Sequence, residues 1–180
     1  LVGFHNLALV PIELVAIGLM PVVDRIASPI VERWHRGAVG EERVGKIIDG
    51  LGGQGWLAIH DASTGRGNVD HILVGPAGLF TIETKSHRGR IDPDRIDLAM
   101  LKQAYAESKA IENLTGLAVE PLLVFSQAYL TKRAVARRRG VTILPARMLP
   151  RFLASRPQGI PAARVAAVHA RLAAALDQVG

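Results

Sequence analysis

The stretch Gly67-Asn68-Val69-Asp70-His71-Ile72-Leu73-Val74-Gly75-Pro76-Ala77-Gly78-Leu79-Phe80-Thr81-Ile82-Glu83-Thr84-Lys85-Ser86 decides how the 180-residue chain folds. Two runs rich in β-branched and apolar residues, Val69 to Val74 and Leu79 to Lys85, flank the connection Gly75-Pro76-Ala77-Gly78, which is the composition of a hairpin. If the hairpin closes over those four residues, Val74 faces Leu79 and every cross-strand pair sums to 153, so Asp70 stands opposite Glu83. Directly opposed Cβ atoms lie about 4.5–5.5 Å apart, where two like charges are destabilising unless something neutralises them. Alternation along the strand puts Lys85 on the face of Glu83, diagonal to Asp70. His71 alternates to the other face and reads as a packing or hydrogen-bonding residue. A slip of one residue would destroy this convergence, leaving the same side chains as the solvated face of a half-exposed hairpin.

If the register holds, the site has a definite chemistry. A hard cation such as Mg²⁺ takes oxygen ligands and keeps several waters, so two carboxylates leave positions open for a phosphate oxygen and a water. Such a metal acidifies the water and offsets charge on a phosphoryl group. Lys85 can orient or help deprotonate that nucleophile and stabilise the charge that develops.

Working outward, residues from Gly40 read as a helix, with Glu41 and Glu42 at its positive end and Val44, Ile47, Ile48 and Leu51 at helical spacing. Gly50, Gly52, Gly53 and Gly55 end it, and lacking a Lys-Ser/Thr ending they read as a turn and not as a phosphate loop. A strand over Trp56 to His60 and a polar loop over residues 61–68 follow. Beyond the hairpin, residues 97–114 are helical in pattern, Pro121 to Ser126 and Val141 to Leu144 read as buried strands, and Met148 to Leu153 and Ala162 to Leu176 as helices. The order predicts an α/β fold with a mixed central β-sheet flanked by helices. It divides into an N-terminal apolar segment (1–36), a central domain (37–154) and a C-terminal helix packed on it (155–180).

Residues 7–23 are apolar except for Glu13, and Arg25, Arg33, Arg36 and Arg43 follow on one side only. This resembles a short membrane span with a positive-inside flank. A span needs about 20 apolar residues, and this run carries a carboxylate and prolines 11 and 21. A truncated anchor holding a cytoplasmic domain at the inner face of the membrane and an apolar helix packed on the domain both remain open. The chain starts at Leu1, as a fragment would.

There are no cysteines, which excludes disulfides, thiolate metal sites and cysteine nucleophiles; any metal must be held by oxygen or imidazole. The net charge of +6 is uneven: residues 121–180 hold ten Lys and Arg against Asp177 alone. Lys132, Arg133, Arg137, Arg138 and Arg139 form a candidate polyanion surface, and His87, Arg88 and Arg90 follow the hairpin where they could hold phosphates; a solvated basic face explains both equally. Few aromatics lie near these charges, so nothing in them points to base stacking.

The hairpin string, followed by Gly89, resembles the core of the nuclease-related domain (NERD) family. Gly40-Glu41-x-x-Val44 upstream and Pro121 to Ser126 downstream are similar to the family's pattern, and the likeness covers roughly residues 37–154. It implies a restriction-endonuclease-like core of the PD-(D/E)XK superfamily, with Asp70, Glu83 and Lys85 as the site. It also implies Glu41 (or Glu42 in its place) as an acidic residue of the first helix, and Gln103 as a helix residue beside the site. Asp70, Glu83 and Glu41 would hold Mg²⁺ or Mn²⁺, and the expected activity is a metal-dependent nuclease acting on DNA, with RNA as a further substrate. The competing readings are a non-catalytic nucleic-acid-binding or membrane-tethered module that keeps the fold, and a hydrolase of other phosphate esters.

Overall fold

The computed structural model describes residues 37–65 and 67–179; the apolar segment expected over residues 7–23 lies outside them. Residues 37–49 form the first helix, α1, whose Val44 and Ile48 are fully buried, as is Leu51 just beyond it. A single 3₁₀ turn, Gly52–Gln54, ends in Gly55 at φ 81°, so the glycine cluster is the turn expected of it. Three antiparallel strands follow: β1 (Leu57–Ser63), β2 (Asn68–Gly75) and β3 (Gly78–Ile91). Helix α2 (Leu98–Thr115) leads back to β4 (Val119–Leu130), parallel to β3. The chain finishes with β5 (Ala136–Arg138), β6 (Val141–Pro145), α3 (Leu149–Ala154) and α4 (Ala162–Asp177).

The sheet order is β1-β2-β3-β4-β6-β5, six strands of mixed direction. Its register in the hairpin pairs Val74 with Leu79 and His71 with Ile82, the pairing that the four-residue connection predicts. Gly75 is needed there for room: a Cβ would lie 2.0 Å from the Trp56 ring. One core, built on Val44, Ile48, Phe80, Ile82, Val124 and Leu144, joins α1 and α3 to the sheet. Two further clusters include Ile111 with Val165, Leu172 and Leu176, and Leu101 with Phe125 and Ile143, where α2 and α4 pack. Helices thus flank a mixed sheet, as expected.

Strand lengths differ from the sequence reading. β3 and β4 run well past Lys85 and Ser126 into polar sequence, because each continues to be the other's partner as far as Ile91 and Leu130. β1 likewise takes in Asp61 to Ser63, expected as loop. β5 was not anticipated: it is three residues of Arg-rich sequence held only by pairing to β6. Among the described residues no helix is long and apolar enough to cross a membrane.

Candidate active site

The β2–β3 ladder ends at His71–Ile82, and one step further the same register sets Asp70 against Glu83. There the strands part, and the Thr84 N–H is taken by the Asp70 side chain, whose Oδ2 accepts it at 2.7 Å. Asp70 therefore replaces a main-chain acceptor at the point where β2 leaves β3. Glu83 is only 2% exposed; its Oε1 pairs with the Lys85 ammonium, which also donates to Gln103 Oε1 at 3.2 Å. Its Oε2 is buried and has no hydrogen-bond donor among the described residues.

Burial pushes the Asp70 carboxyl up to about 7, and the negative charge of Glu83 adds to the effect; the Thr84 N–H acts the other way. Glu41 on α1 is raised for the same two reasons, burial and then Glu83, with Asp61 contributing. Its position follows from Gly40, where a Cβ would lie 2.9 Å from Ser126 Oγ and 3.0 Å from Ser86 Cβ. Only glycine lets α1 come that close to β3 and β4, and that contact carries Glu41 to within the field of Glu83 and Lys85.

Two carboxylates forced together in a dry site, with an ammonium beside them, match the donor chemistry of a divalent cation: hard oxygens whose repulsion the ion removes. Mg²⁺ is commonly held through one or two carboxylates with water completing its shell, and Asp70 and Glu83 supply that pair. Among the described residues no three Asp, Glu or His side chains converge as ligands of one ion, so Glu41 stands as a neighbouring charge.

Comparison with known sequences settles what kind of domain carries this arrangement. The profile of the family described as nuclease-related domain matches residues 36–126, just over half of the chain. The chain belongs to the nuclease-related domain (NERD) family. Membership is consistent with the restriction-endonuclease-like placement. An uncharacterized protein of Bacillus anthracis is similar over 84 residues at 27% identity, covering 44% of this chain and 39% of that protein. The chain thus spans well under half the length of that relative. No solved structure matches this chain.

In this NERD domain three neighbours of the site were not anticipated. Glu107 on α2 is buried, and its carboxyl is held well above the usual range by burial and then by the charge of Glu83. Its signal in the sequence is its position one turn after Gln103, next to the buried stripe Leu101, Ala104, Ser108 and Ile111. Behind Asp70, His71 Nδ1 lies 2.8 Å from His60 Nδ1, and His60 Nε2 is 3.0 Å from Asp49 Oδ1. His71 is buried, which with the neighbouring His60 lowers it to about 4, so it is neutral at physiological pH. His71 thus faces away from the carboxylate pair and serves packing and hydrogen bonding.

The basic residues divide. Lys132 pairs with Asp92 at 3.0 Å and Asp94 at 2.8 Å, and Arg138 donates to the carbonyls of Pro93 and Ile96; both tie β5 and its approach to the loop before α2. Arg90, Arg133, Arg137 and Arg139 are exposed. Arg88 donates to Gln127 Oε1 at 2.8 Å, just past a β-bulge that interrupts the β3–β4 register between Lys85 and Arg88. Bulges next to such sites re-aim side chains; here the extra residue sets Arg88 beside Gln127, while His87 packs edge-on against Phe125 at 5.6 Å.

Proposed function

We propose that this NERD domain is a metal-dependent nuclease that hydrolyses phosphodiester bonds in DNA. The observation that carries the reading is the Asp70–Glu83 pair at the end of the hairpin ladder with Lys85 against it. Asp70 and Glu83 would hold a Mg²⁺ or Mn²⁺ ion, with Glu41, whose carboxyl feels the charge of Glu83, as a further acidic group beside them. Such an ion supplies an acidified water and Lewis-acid relief of charge on the phosphoryl oxygens. The protein's own groups do the remainder. Asp70 is fixed by the Thr84 N–H, so its second oxygen is free to serve as a ligand. Gln103 and Glu83 hold the Lys85 ammonium at the mouth of the site, where it orients the attacking water and meets the negative charge that builds on the phosphorus centre. Burial of Glu83 keeps that interaction from being screened by solvent.

The test is incubation of the full chain with plasmid, linear and single-stranded DNA, with and without Mn²⁺. Cleavage should require the metal and should fall by about 10²-fold or more in Lys85→Ala. Mn²⁺ binding followed by calorimetry should survive in Lys85→Ala and be lost in Asp70→Asn. Salt-dependent DNA binding that persists in Asp70→Asn, with no cleavage under any metal, would replace this reading with a non-catalytic binding module.

A further inference from the structure

On the other side of α1 from His60, His71 and Asp70 lies a second concavity, a cleft of about 650 Å³. It is formed where β6 ends while β3 and β4 run on beyond it, and its walls are Arg43 and Ile47 of α1, Arg88 of β3, Ser126 to Tyr129 of β4, and Pro145 to Arg147 at and after the end of β6. Arg43, Arg88 and Arg147 come from three distant parts of the sequence. All three are exposed, and among the described residues none of them pairs with a carboxylate. In contrast to Lys132, their charge is available to a ligand. Tyr129 is 54% exposed, and the Arg147 guanidinium lies over its ring, 3.8 Å from the centroid.

An exposed tyrosine with a guanidinium already stacked on it is a flat, cationic platform. A purine or pyrimidine base has the matching shape and π-surface, and base–aromatic stacking tolerates any sequence. The remaining arginines suit the phosphates on either side of such a base: Arg guanidinium binds phosphate oxygens in a bidentate fork. The cleft also adjoins the strand that carries Glu83 and Lys85. Its wall residue Ser126 reaches the Lys85 carbonyl at 3.5 Å, and Arg88 is three residues beyond Lys85, at most about 10 Å along the strand. A nucleic-acid strand lying along β3 could therefore reach from the site to Arg88 within a few nucleotides.

We propose that the cleft walled by Arg43, Arg88, Tyr129 and Arg147 binds single-stranded DNA, with a base stacked on Tyr129 and Arg147 and the adjoining phosphates on Arg43 and Arg88. The inference rests on the nuclease reading for its assignment of the strand as substrate, and it narrows that reading to DNA that is single-stranded beside the point of cleavage. A duplex keeps its bases stacked on each other and cannot offer one to Tyr129 without unpairing.

The experiment measures binding without metal, so that it is independent of turnover. A fluorescein-labelled oligothymidylate of about twelve nucleotides, and a duplex of the same length, are titrated with the full chain in EDTA and followed by anisotropy. Single strand should bind more tightly than duplex. Tyr129→Ala should weaken it by about 5- to 100-fold, as loss of one stacked base does, while Tyr129→Phe, which keeps the ring, should restore it. Arg43→Ala with Arg88→Ala should reduce the slope of log affinity against log salt by about 1.4, two phosphates' worth for a single strand. Equal binding by wild type, Tyr129→Ala and Arg147→Ala, or loss in Tyr129→Phe as complete as in Tyr129→Ala, would overturn the proposal. Failure of the nuclease reading shows elsewhere, as absence of metal-dependent cleavage with this binding intact.

Discussion

Asp70 shows how a single residue is set against the stability of its own domain. Its carboxyl is raised to about 7 by burial and by Glu83, so at neutral pH the metal-free protein holds either a dry charge or a proton it would not hold when unfolded. Replacing it by asparagine keeps an acceptor for the Thr84 N–H and removes the like charge. Asp70→Asn is therefore expected to raise the melting temperature without metal, by on the order of 2–4 °C for each kcal/mol gained. The same variant should lose the further rise that Mn²⁺ gives the wild type, since a ligand that binds only the native state stabilises by mass action. Thermal melts of both proteins with and without Mn²⁺ check this, and a variant less stable than wild type in EDTA would count against the repulsion. Which residues face each other was legible in the sequence, because strand alternation has a period of two and the hairpin is local. That Glu107 joins them was not: its contact with Glu83 depends on how α2 lies over the sheet.

At the scale of elements, the hairpin and α1 are aligned by two glycines that allow close approach. Gly75 faces the Trp56 ring, where even a methyl group would meet Cε3 at 2.0 Å. Neither the indole nor the strand can yield that much within the core shared with Phe80, 5.8 Å from the Trp56 ring centre. Gly75→Ala should destabilise the domain by roughly 1–3 kcal/mol or more through overpacking, measured as a lower midpoint in urea. A midpoint unchanged from wild type would show that the hairpin moves freely away from Trp56. The strands were partly legible in the sequence. Val69 to Val74 and Pro121 to Ser126 announce themselves by apolar content, whereas the distal halves of β3 and β4 are polar and exist because each pairs with the other. β5 carries no strand pattern and is held by the edge of β6.

For the molecule as a whole, the buried titratable groups set a dependence on pH. Asp70 and Glu107 are both raised, so the native state keeps protons that the unfolded chain releases, and stability is lost as pH rises toward and through about 7. His71 is lowered from 6.5 to about 4, so its contribution is lost in the opposite direction, as pH falls below 6.5. Above about 6.5 the histidine is neutral in both states and only the carboxyls count. The metal-free protein should accordingly melt at a lower temperature at pH about 8.5 than at about 6.5, and Mn²⁺ should recover the difference by neutralising the charges at Asp70 and Glu83. Calorimetric scans at the two pH values, with and without Mn²⁺, decide it; melting temperatures independent of pH would mean these carboxyls titrate as exposed groups do.

The sequence by itself determined the hairpin, its register and the meeting of Asp70, Glu83 and Lys85, because those depend on neighbours within about twenty residues and on the two-residue repeat of a strand. It also carried the motifs by which the family is matched. Tertiary structure alone decided which basic residues remain available. Lys132 is spent on Asp92 and Asp94, which only the docking of the β5 region on the loop before α2 brings to it. Arg43, Arg88 and Arg147 are far apart in the sequence and line one cleft with Tyr129 because β3 and β4 run on past the end of β6 beside α1. Charge composition counts such residues equally, and the long-range packing of the sheet assigns each a partner or leaves it facing solvent.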